Sequence, residues 1–279
     1  MKNIKSYFLL IRPLNVLISG LAMVVSAAIL DSLEETRTLV FIVLIVMFYT
    51  AAANAINDVF DLEIDKINRP SRPLPSKNLK KGTALKFSSI LFLLGSLLSL
   101  QLSPAAQFIS IVISMPLMIV YSMNLKSKPL IGNMAVSFII GLSFIFCGAA
   151  FENISPMWVP GLLAFSLNLI REIIKDIADL EGDRAAKCKT YPIQYGLEAT
   201  IRLVSILSSI VFLVILLPYF SNVYNYWYLI ILVIGVEIPL IIVVFLLIKS
   251  PTILSANQGS KILKFSTIMG LIAIYLGTN

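Results

Sequence analysis

The chain has 279 residues, of which 58% are hydrophobic and only 13% are charged, a composition far from that of soluble domains. Histidine is absent, which excludes histidine-based catalytic triads and zinc–histidine sites. The net charge is +7, but the basic residues border apolar segments and form no soluble domain. They therefore indicate contact with anionic lipid and argue against a nucleic-acid partner.

Apolar runs long enough to cross a bilayer recur along the whole chain. They predict an all-α, polytopic membrane protein with nine transmembrane helices in one bundle around a central cavity. No Pro/Gly/Ser-rich linker interrupts the sequence, so residues 1–279 are expected to form a single domain. The nine predicted helices are 13–30, 38–57, 84–102, 105–122, 130–150, 157–175, 199–218, 226–248 and 262–277.

The basic residues fall on alternate connections between these runs. With nine helices, nearly all of them lie on one side of the membrane, and only Arg37 lies on the other. The excess of lysine and arginine marks the cytoplasmic side. We therefore expect a multi-pass protein of the cell membrane with a cytoplasmic N-terminus.

Two clusters of polar and acidic residues share one spacing, in steps of four, three and four residues. The first ladder is Asn54, Asp58, Asp61 and Asp65, and the second ladder is Glu172, Asp176, Asp179 and Asp183. On a helix this spacing places the side chains on one face. Acidic oxygens so close together favour a hard cation, and Mg²⁺ is the natural one beside phosphates. All eight residues are therefore candidate magnesium ligands.

The plainer interpretation of each ladder is a solvated helix end whose acids pair with nearby lysines. Two ladders of identical spacing on the same membrane side argue against it, because clustered ionisable groups are costly near a bilayer. Each ladder is also followed by a basic loop, so the chain has the pattern of an internal repeat that places an active site on the cytoplasmic side. Glu63 and Glu181 fall off the ladder face and are expected to meet solvent or form salt bridges.

Basic residues near the ladders are candidates for binding phosphate oxygens, which arginine matches with paired donors. They are Arg12, Arg72, Lys126, Arg171 and Lys175. Arg72 and Lys126 could instead extend toward lipid headgroups, and Arg171 and Lys175 could simply pair with the acids of the second ladder. Glu237, deep in the eighth run, is expected to face protein.

The motifs around both ladders resemble those of the UbiA superfamily of intramembrane prenyltransferases. The run from Asn54 to Asp65 with the Arg69–Leu74 segment resembles the first family motif, and the second ladder with Thr190-Tyr191-Pro192-Ile193 and Gly196 resembles the second. Matches elsewhere are Arg12-Pro13-Leu14-Asn15, Tyr121, Lys126 and Pro129-Leu130-Ile131-Gly132-Asn133. The stretch from Arg171 to Asp183 is most similar to the archaeal ether-lipid branch. Lys187-Cys188-Lys189 departs from the family pattern, where a glycine-containing turn is expected.

The resemblance implies Mg²⁺-dependent transfer of a geranylgeranyl group from geranylgeranyl diphosphate to the free hydroxyl of geranylgeranylglyceryl phosphate, with release of diphosphate. It implies a prenyl diphosphate and a lipid-like acceptor as partners, and nothing in the sequence indicates an obligatory protein partner. The expected catalytic residues are Asp58, Asp61, Asp176, Asp179, Lys126 and Tyr121. The expected substrate-binding residues are Asn15, Asn54, Arg72, Arg171, Lys175 and Arg12.

Other functions remain open on the sequence alone. The nearest is prenylation of an aromatic acceptor, a hydroxybenzoate or naphthoate, in quinone biosynthesis. A cation transporter would also place acids in a bundle, but it has no need of two ladders at the cytoplasmic edge. A CDP-alcohol phosphotransferase would carry an Asp-Gly…Ala-Arg element that this chain lacks, and a membrane scaffold would leave the ladders unexplained.

Overall fold

A computed structural model describes the backbone of residues 2–278 and the side chains of residues 4–278. Every regular element in this part of the chain is a helix, which confirms the predicted all-α class. We number the main helices α1 Lys2–Ile11, α2 Pro13–Ile29, α3 Thr36–Phe60, α4 Leu62–Asn68, α5 Lys81–Ser99, α6 Pro104–Leu125, α7 Ile131–Ala150, α8 Trp158–Ala178, α9 Leu180–Ala185, α10 Tyr191–Tyr195, α11 Leu197–Val214, α12 Tyr226–Lys249 and α13 Ile253–Thr278.

Within the described residues, eight helices are long and apolar enough to cross a membrane. They correspond to the last eight predicted runs. The first predicted run forms α2, which has 17 residues. It counts as a ninth candidate only if it is joined to the segment Ile4–Ile11, from which it is bent by 50°.

The bend between α1 and α2 lies at Arg12, as the sequence Arg12-Pro13 suggests. Proline has no N–H to donate to the preceding turn and disfavours helical backbone in the residue before it. Arg12 accordingly has a left-handed backbone, with φ 54° and ψ 71°. The chain thus turns at Arg12, whose side chain is a candidate for binding phosphate oxygens.

The chain divides into two compact units, the first formed by residues 1–126 and 142–155. At its centre α3 packs against α2 and α5. The contact with α5 is close because Gly95 faces the ring of Tyr49, whose hydroxyl lies 2.9 Å from that of Ser96. A side chain at position 95 would collide with that ring. This packing holds the end of α3, where the first ladder lies.

The second unit comprises residues 127–141 and 156–279, and α8 packs along α13 at its centre. Gly259 of α13 lies against Ile174, and Gly270 lies against Leu163. Small residues of this kind let membrane helices approach closely. Glu237 of α12 is buried, as expected, and its Oε1 atom has no hydrogen-bond partner among the described residues.

Candidate active site

Both ladder helices are interrupted at the third residue of the ladder. The helix that carries the first ladder stops at Phe60 and resumes at Leu62, with Asp61 at the break (φ −82°, ψ 4°). The helix that carries the second ladder breaks in the same way at Asp179 (φ −95°, ψ 7°). The spacing predicted a continuous helical face, and the structure instead places the last ladder residue on a separate short helix.

The three carboxylates of the first ladder are buried, with Asp58 2%, Asp61 5% and Asp65 0% exposed. Buried carboxylates are stable as ions only when they are paired. Arg72 supplies one such partner, because its Nη1 atom lies 3.1 Å from Asp58 Oδ1 and 2.6 Å from Asp65 Oδ2. One guanidinium nitrogen therefore joins the second and fourth residues of the ladder.

Two further cations contact Asp58 and Asp61 of the first ladder. Arg12 donates from Nη2 to Asp58 Oδ1, and Lys126 donates from Nζ to Asp61 Oδ2. Both basic side chains are about one-third exposed. The predicted phosphate-binding residues of this unit thus meet the predicted metal ligands directly, and neither simply extends toward lipid.

Arg72 is positioned by the loop that follows the ladder. Leu74 and Leu79 of this loop are buried in a hydrophobic cluster with Leu10 and Val59. The hydroxyl of Ser76 donates to the carbonyl of Arg72 at 2.6 Å. The proline-rich loop is therefore fixed just after the arginine, which helps to hold its side chain at the ladder.

A π-helical turn at the end of α6 positions Lys126. The turn is Tyr121–Leu125, and the N–H of Lys126 donates to the carbonyl of Tyr121 at 3.1 Å. Tyr121 itself is buried. On the same turn the hydroxyl of Ser122 donates to the side-chain oxygen of Asn57 on α3. The turn thus places the predicted catalytic pair beside the first ladder, and π-helical turns are frequent at functional sites.

Asn54 connects the ladder to the bend at Arg12. Its side-chain amide donates to the carbonyl of Ile11 at 2.8 Å, one residue before the bend. The amide nitrogen of Asn54 is therefore engaged in a hydrogen bond, and its side-chain oxygen is the atom that could bind a metal ion. Asn15, on the first turn of α2, is half-buried and engaged in a polar interaction of its own.

Burial dominates the electrostatics of Asp65. Loss of hydration raises the pKa of Asp65, and the positive charge and hydrogen bond of Arg72 oppose that rise. Asp58 and Asp61 raise the pKa further by repulsion. Because the net shift is upward, the ionised form of Asp65 depends on nearby cations, and Arg69 Nη1 lies 3.5 Å from its Oδ1 atom in addition to Arg72.

In the second ladder, Glu172 is buried and has two basic neighbours on its own helix. Arg171 Nη1 lies 3.0 Å from Glu172 Oε1, and Lys175 Nζ lies 2.8 Å from Glu172 Oε2. Both basic residues therefore pair with an acid of the second ladder, which is one of the two interpretations that the sequence left open. Asp179 and Asp183 also interact with neighbouring polar groups.

Asp176 accepts a hydrogen bond from Asn133 of α7, whose Nδ2 atom lies 2.9 Å from Asp176 Oδ2. No contact was predicted for Asn133, although it ends the Pro129–Asn133 segment that resembles the family sequence. Asn133 is buried, and an amide near the start of an apolar run was a usable signal. Asn168, also buried, forms a comparable bond to Ser137 at 3.1 Å. The ladder helix is thus held to α7 by polar side chains.

The loop after the second ladder contains Lys187-Cys188-Lys189, where the resemblance leads us to expect a glycine-containing turn, and Lys187 begins this segment. This residue adopts φ 56°, the left-handed conformation that glycine adopts most easily. Two backbone bonds hold the turn, from Cys188 N to Asp183 O at 2.9 Å and from Lys189 N to Ser127 O at 3.0 Å. The glycine-like geometry is kept with a lysine in its place.

Within residues 4–278, no three Asp, Glu, His or Cys side chains are grouped closely enough to hold a metal ion as they stand. The carboxylates of the first ladder meet basic side chains instead. Their chemistry nevertheless fits magnesium, because the ladders offer carboxylate and amide oxygens, which are hard ligands. The basic partners are of the kind that also binds diphosphate oxygens.

Comparison with known proteins extends these observations to the whole chain. Residues 16–258 match the family described as the UbiA prenyltransferase family. The digeranylgeranylglyceryl phosphate synthase of Methanosphaera stadtmanae is 33% identical over 271 residues, which cover 97% of this chain and 98% of that protein.

Solved structures give the same result for the fold. A structure of digeranylgeranylglyceryl phosphate synthase in membranes has a TM-score of 0.79 and 33% identity, and it covers 100% of this chain and 99% of that one. A UbiA homolog from Archaeoglobus fulgidus bound to DMAPP and Mg²⁺ has a TM-score of 0.66 and 18% identity, with 96% and 99% covered. The chain therefore belongs to the UbiA prenyltransferase family and is a multi-pass membrane protein.

Proposed function

We propose that this protein transfers a geranylgeranyl group from geranylgeranyl diphosphate to the free hydroxyl of geranylgeranylglyceryl phosphate. The observation that carries the proposal is similarity over nearly the full length to a digeranylgeranylglyceryl phosphate synthase, together with two acidic ladders that suit a diphosphate donor. The products are an ether-lipid precursor and diphosphate. We also propose that residues 1–279 act as a single prenyltransferase domain, since the family match includes parts of both compact units.

The ladder residues are proposed to hold Mg²⁺ with the donor diphosphate. When bound, magnesium neutralises the charge that develops on the departing diphosphate. The UbiA homolog from Archaeoglobus fulgidus, solved with DMAPP and Mg²⁺, has the same fold. The proposed ligands are Asn54, Asp58, Asp61, Asp65, Glu172, Asp176, Asp179 and Asp183.

The basic side chains around the ladders have two tasks in this proposal. Without substrate they balance the buried carboxylates, as Arg72 does for Asp58 and Asp65. With substrate they donate to phosphate oxygens, which a guanidinium can do while it keeps a carboxylate bond, because it carries five N–H donors. Arg12 and Lys126 are proposed to do the same. Preorganised positive charge of this kind stabilises a leaving diphosphate without further rearrangement.

The reaction breaks the allylic C–O bond, and the diphosphate leaves with the bonding electron pair. The resulting allylic cation forms a new C–O bond with the acceptor hydroxyl, which then loses its proton. Such a cation needs only weak base assistance, which suits a chain without histidine and with carboxylates at the site. Tyr121, buried beside Lys126, is proposed to flank the cation with its ring. Asn15 is proposed to contact the substrate from α2.

We further propose nine membrane spans, with the bent pair Ile4–Ile11 and Pro13–Ile29 as the first, and a cytoplasmic N-terminus and active site. With this count the basic residues gather on one side of the membrane, as the positive-inside rule requires. Both ladders then lie on that side, where water-soluble diphosphate is released.

The function is tested with purified protein and labelled geranylgeranyl diphosphate. One reaction receives geranylgeranylglyceryl phosphate as the acceptor, and the other receives 4-hydroxybenzoate. We expect product only from the glyceryl phosphate. Product from the aromatic acid, with none from the glyceryl phosphate, would overturn the proposed acceptor and leave the family assignment intact.

A further inference from the structure

Arg171 reaches across from α8 to α13. Its Nε atom donates to the carbonyl of Ser260 at 3.2 Å. Lys264 stands four residues after Ser260, and residues four apart lie on the same face of a helix. The guanidinium of Arg171 therefore contacts α13 on the face that carries Lys264. Two cations from different helices therefore meet on one surface of the second unit.

Lys264 lies near the start of the ninth predicted apolar run, residues 262–277. It follows Ile253, the first residue of α13, by eleven residues. The side chain is half-buried, and Leu263 beside it is fully buried. A half-buried ionisable residue in a membrane-spanning helix is costly, and such residues usually serve a function.

The guanidinium of Arg171 is already fixed in orientation. Nε is held by Ser260 and Nη1 by Glu172, whose carboxylate also accepts two bonds from Lys175. One carboxylate is thus shared between two cations, and Lys264 adds a third positive charge nearby. A preoriented arginine beside a lysine is an arrangement suited to a phosphate.

We propose that Arg171 and Lys264 bind the phosphate monoester of the acceptor. This inference rests on the function proposed above, in which the donor diphosphate belongs to the ladders and the acceptor brings a separate phosphate. Arg171 donates to Glu172, the first residue of the second ladder, at 3.0 Å. An acceptor held by its phosphate at Arg171 would therefore lie beside that ladder.

The position of Lys264 allows another explanation, extension of the ammonium toward an anionic lipid headgroup. The two explanations differ in what the lysine recognises. A substrate-binding lysine affects the KM of the phosphorylated acceptor and leaves the KM of the donor unchanged. If Lys264 binds lipid instead, its replacement changes the KM of the phosphorylated acceptor no more than the KM of an acceptor that lacks the phosphate.

The test compares steady-state kinetics of Lys264→Gln and Arg171→Gln with the wild type in vesicles of fixed composition. Acceptors are geranylgeranylglyceryl phosphate and its dephosphorylated analogue, geranylgeranylglycerol. We expect the KM of the phosphorylated acceptor to rise about tenfold or more in each variant, as loss of a charged hydrogen bond implies. The preference for the phosphorylated over the dephosphorylated acceptor should fall by the same factor. The Lys264→Arg variant, which keeps the charge, should retain most of this preference.

Lys261→Gln is the matched control, because it removes the same charge from an exposed position on the same helix and should leave both acceptor KM values unchanged. If Lys264→Gln does not fold, Lys264→Met replaces it. An unchanged acceptor KM in folded Lys264 and Arg171 variants would overturn this inference and leave the proposed function standing. A wild type that does not use geranylgeranylglyceryl phosphate would overturn both.

Discussion

The Nη1 atom of Arg72 lies 2.6 Å from Oδ2 of Asp65, a carboxylate with no exposed surface. The same nitrogen contacts Asp58, so Arg72 holds two ladder residues at once. We expect Arg72→Gln to lower kcat/KM about a hundredfold, the usual effect of removing one preorganised charge-stabilising group. Arg72→Lys should recover part of the loss, because it restores the charge without the forked geometry.

The Arg72 variants are compared by turnover of labelled donor. Arg202→Gln is the control, since Arg202 forms only an exposed pair with Glu198 and should behave as wild type. Wild-type kcat and KM in a folded Arg72→Gln variant would contradict the role given to this residue.

The ladders are expected to be essential for turnover and dispensable for folding. Asp58→Ala and Asp176→Ala should each abolish most activity, because both remove a proposed magnesium ligand, and chelation of Mg²⁺ should do the same to the wild type. Gel filtration in detergent should show unchanged folded protein. Glu63→Gln is the control, because Glu63 is exposed and pairs with Lys66 off the ladder. Full activity in either aspartate variant would remove the metal hypothesis.

Asn133 is expected to position Asp176 through their 2.9 Å hydrogen bond. Asn133→Ala should lower activity by about ten- to a hundredfold, the range found for residues that orient metal ligands. The loss should be smaller at high Mg²⁺ concentration if the residue acts by orienting the carboxylate. A magnesium titration of activity measures this, and an unshifted titration curve would show that the bond has no part in metal binding.

The contact between α7 and α8 is expected to depend on Gly141. A Cβ atom there would lie 2.7 Å from the carbonyl oxygen of Gly161, and a backbone atom cannot easily move away. Gly141→Ala should therefore destabilise the protein by about 1–3 kcal/mol. Gly82→Ala is the matched control, because nothing lies within 4 Å of its Cβ position. Thermal unfolding in detergent should give a lower midpoint temperature for Gly141→Ala than for Gly82→Ala. Equal midpoints for the two variants would contradict the close packing at Gly141.

Cys188 offers a direct measurement of membrane topology. It is half-buried in the loop after the second ladder, whereas Cys147 is fully buried. A membrane-impermeant thiol reagent should label Cys188 in inverted vesicles and not in right-side-out ones, and Cys188→Ser should abolish the signal. Labelling only in right-side-out vesicles would reverse the proposed orientation.

Much of this architecture could be predicted from the sequence because its signals are local. Apolar runs specify helices, and the first predicted run begins at Pro13, as α2 does. The ladders were visible because their spacing repeats. Their breaks at Asp61 and Asp179 were not, since neither residue is proline or glycine, the residues that usually mark an interrupted helix.

Contacts between distant segments could not be predicted at all. Nothing in the spacing of Asn133 and Asp176 indicates a hydrogen bond, and nothing in the sequence places the helix of Lys264 beside Arg171. Helix packing decides which polar residues meet, and the sequence pattern only shows that they are present.

The shared break at the third residue of each ladder also bears on the origin of the chain. A duplication of one ancestral helix–break–helix segment would copy the spacing and the interruption together. The neighbours differ, since Asp58 meets Arg12 and Arg72 whereas Asp176 meets Asn133. These neighbours lie outside the repeated segment, so the two copies could diverge in chemistry while their backbones stayed alike.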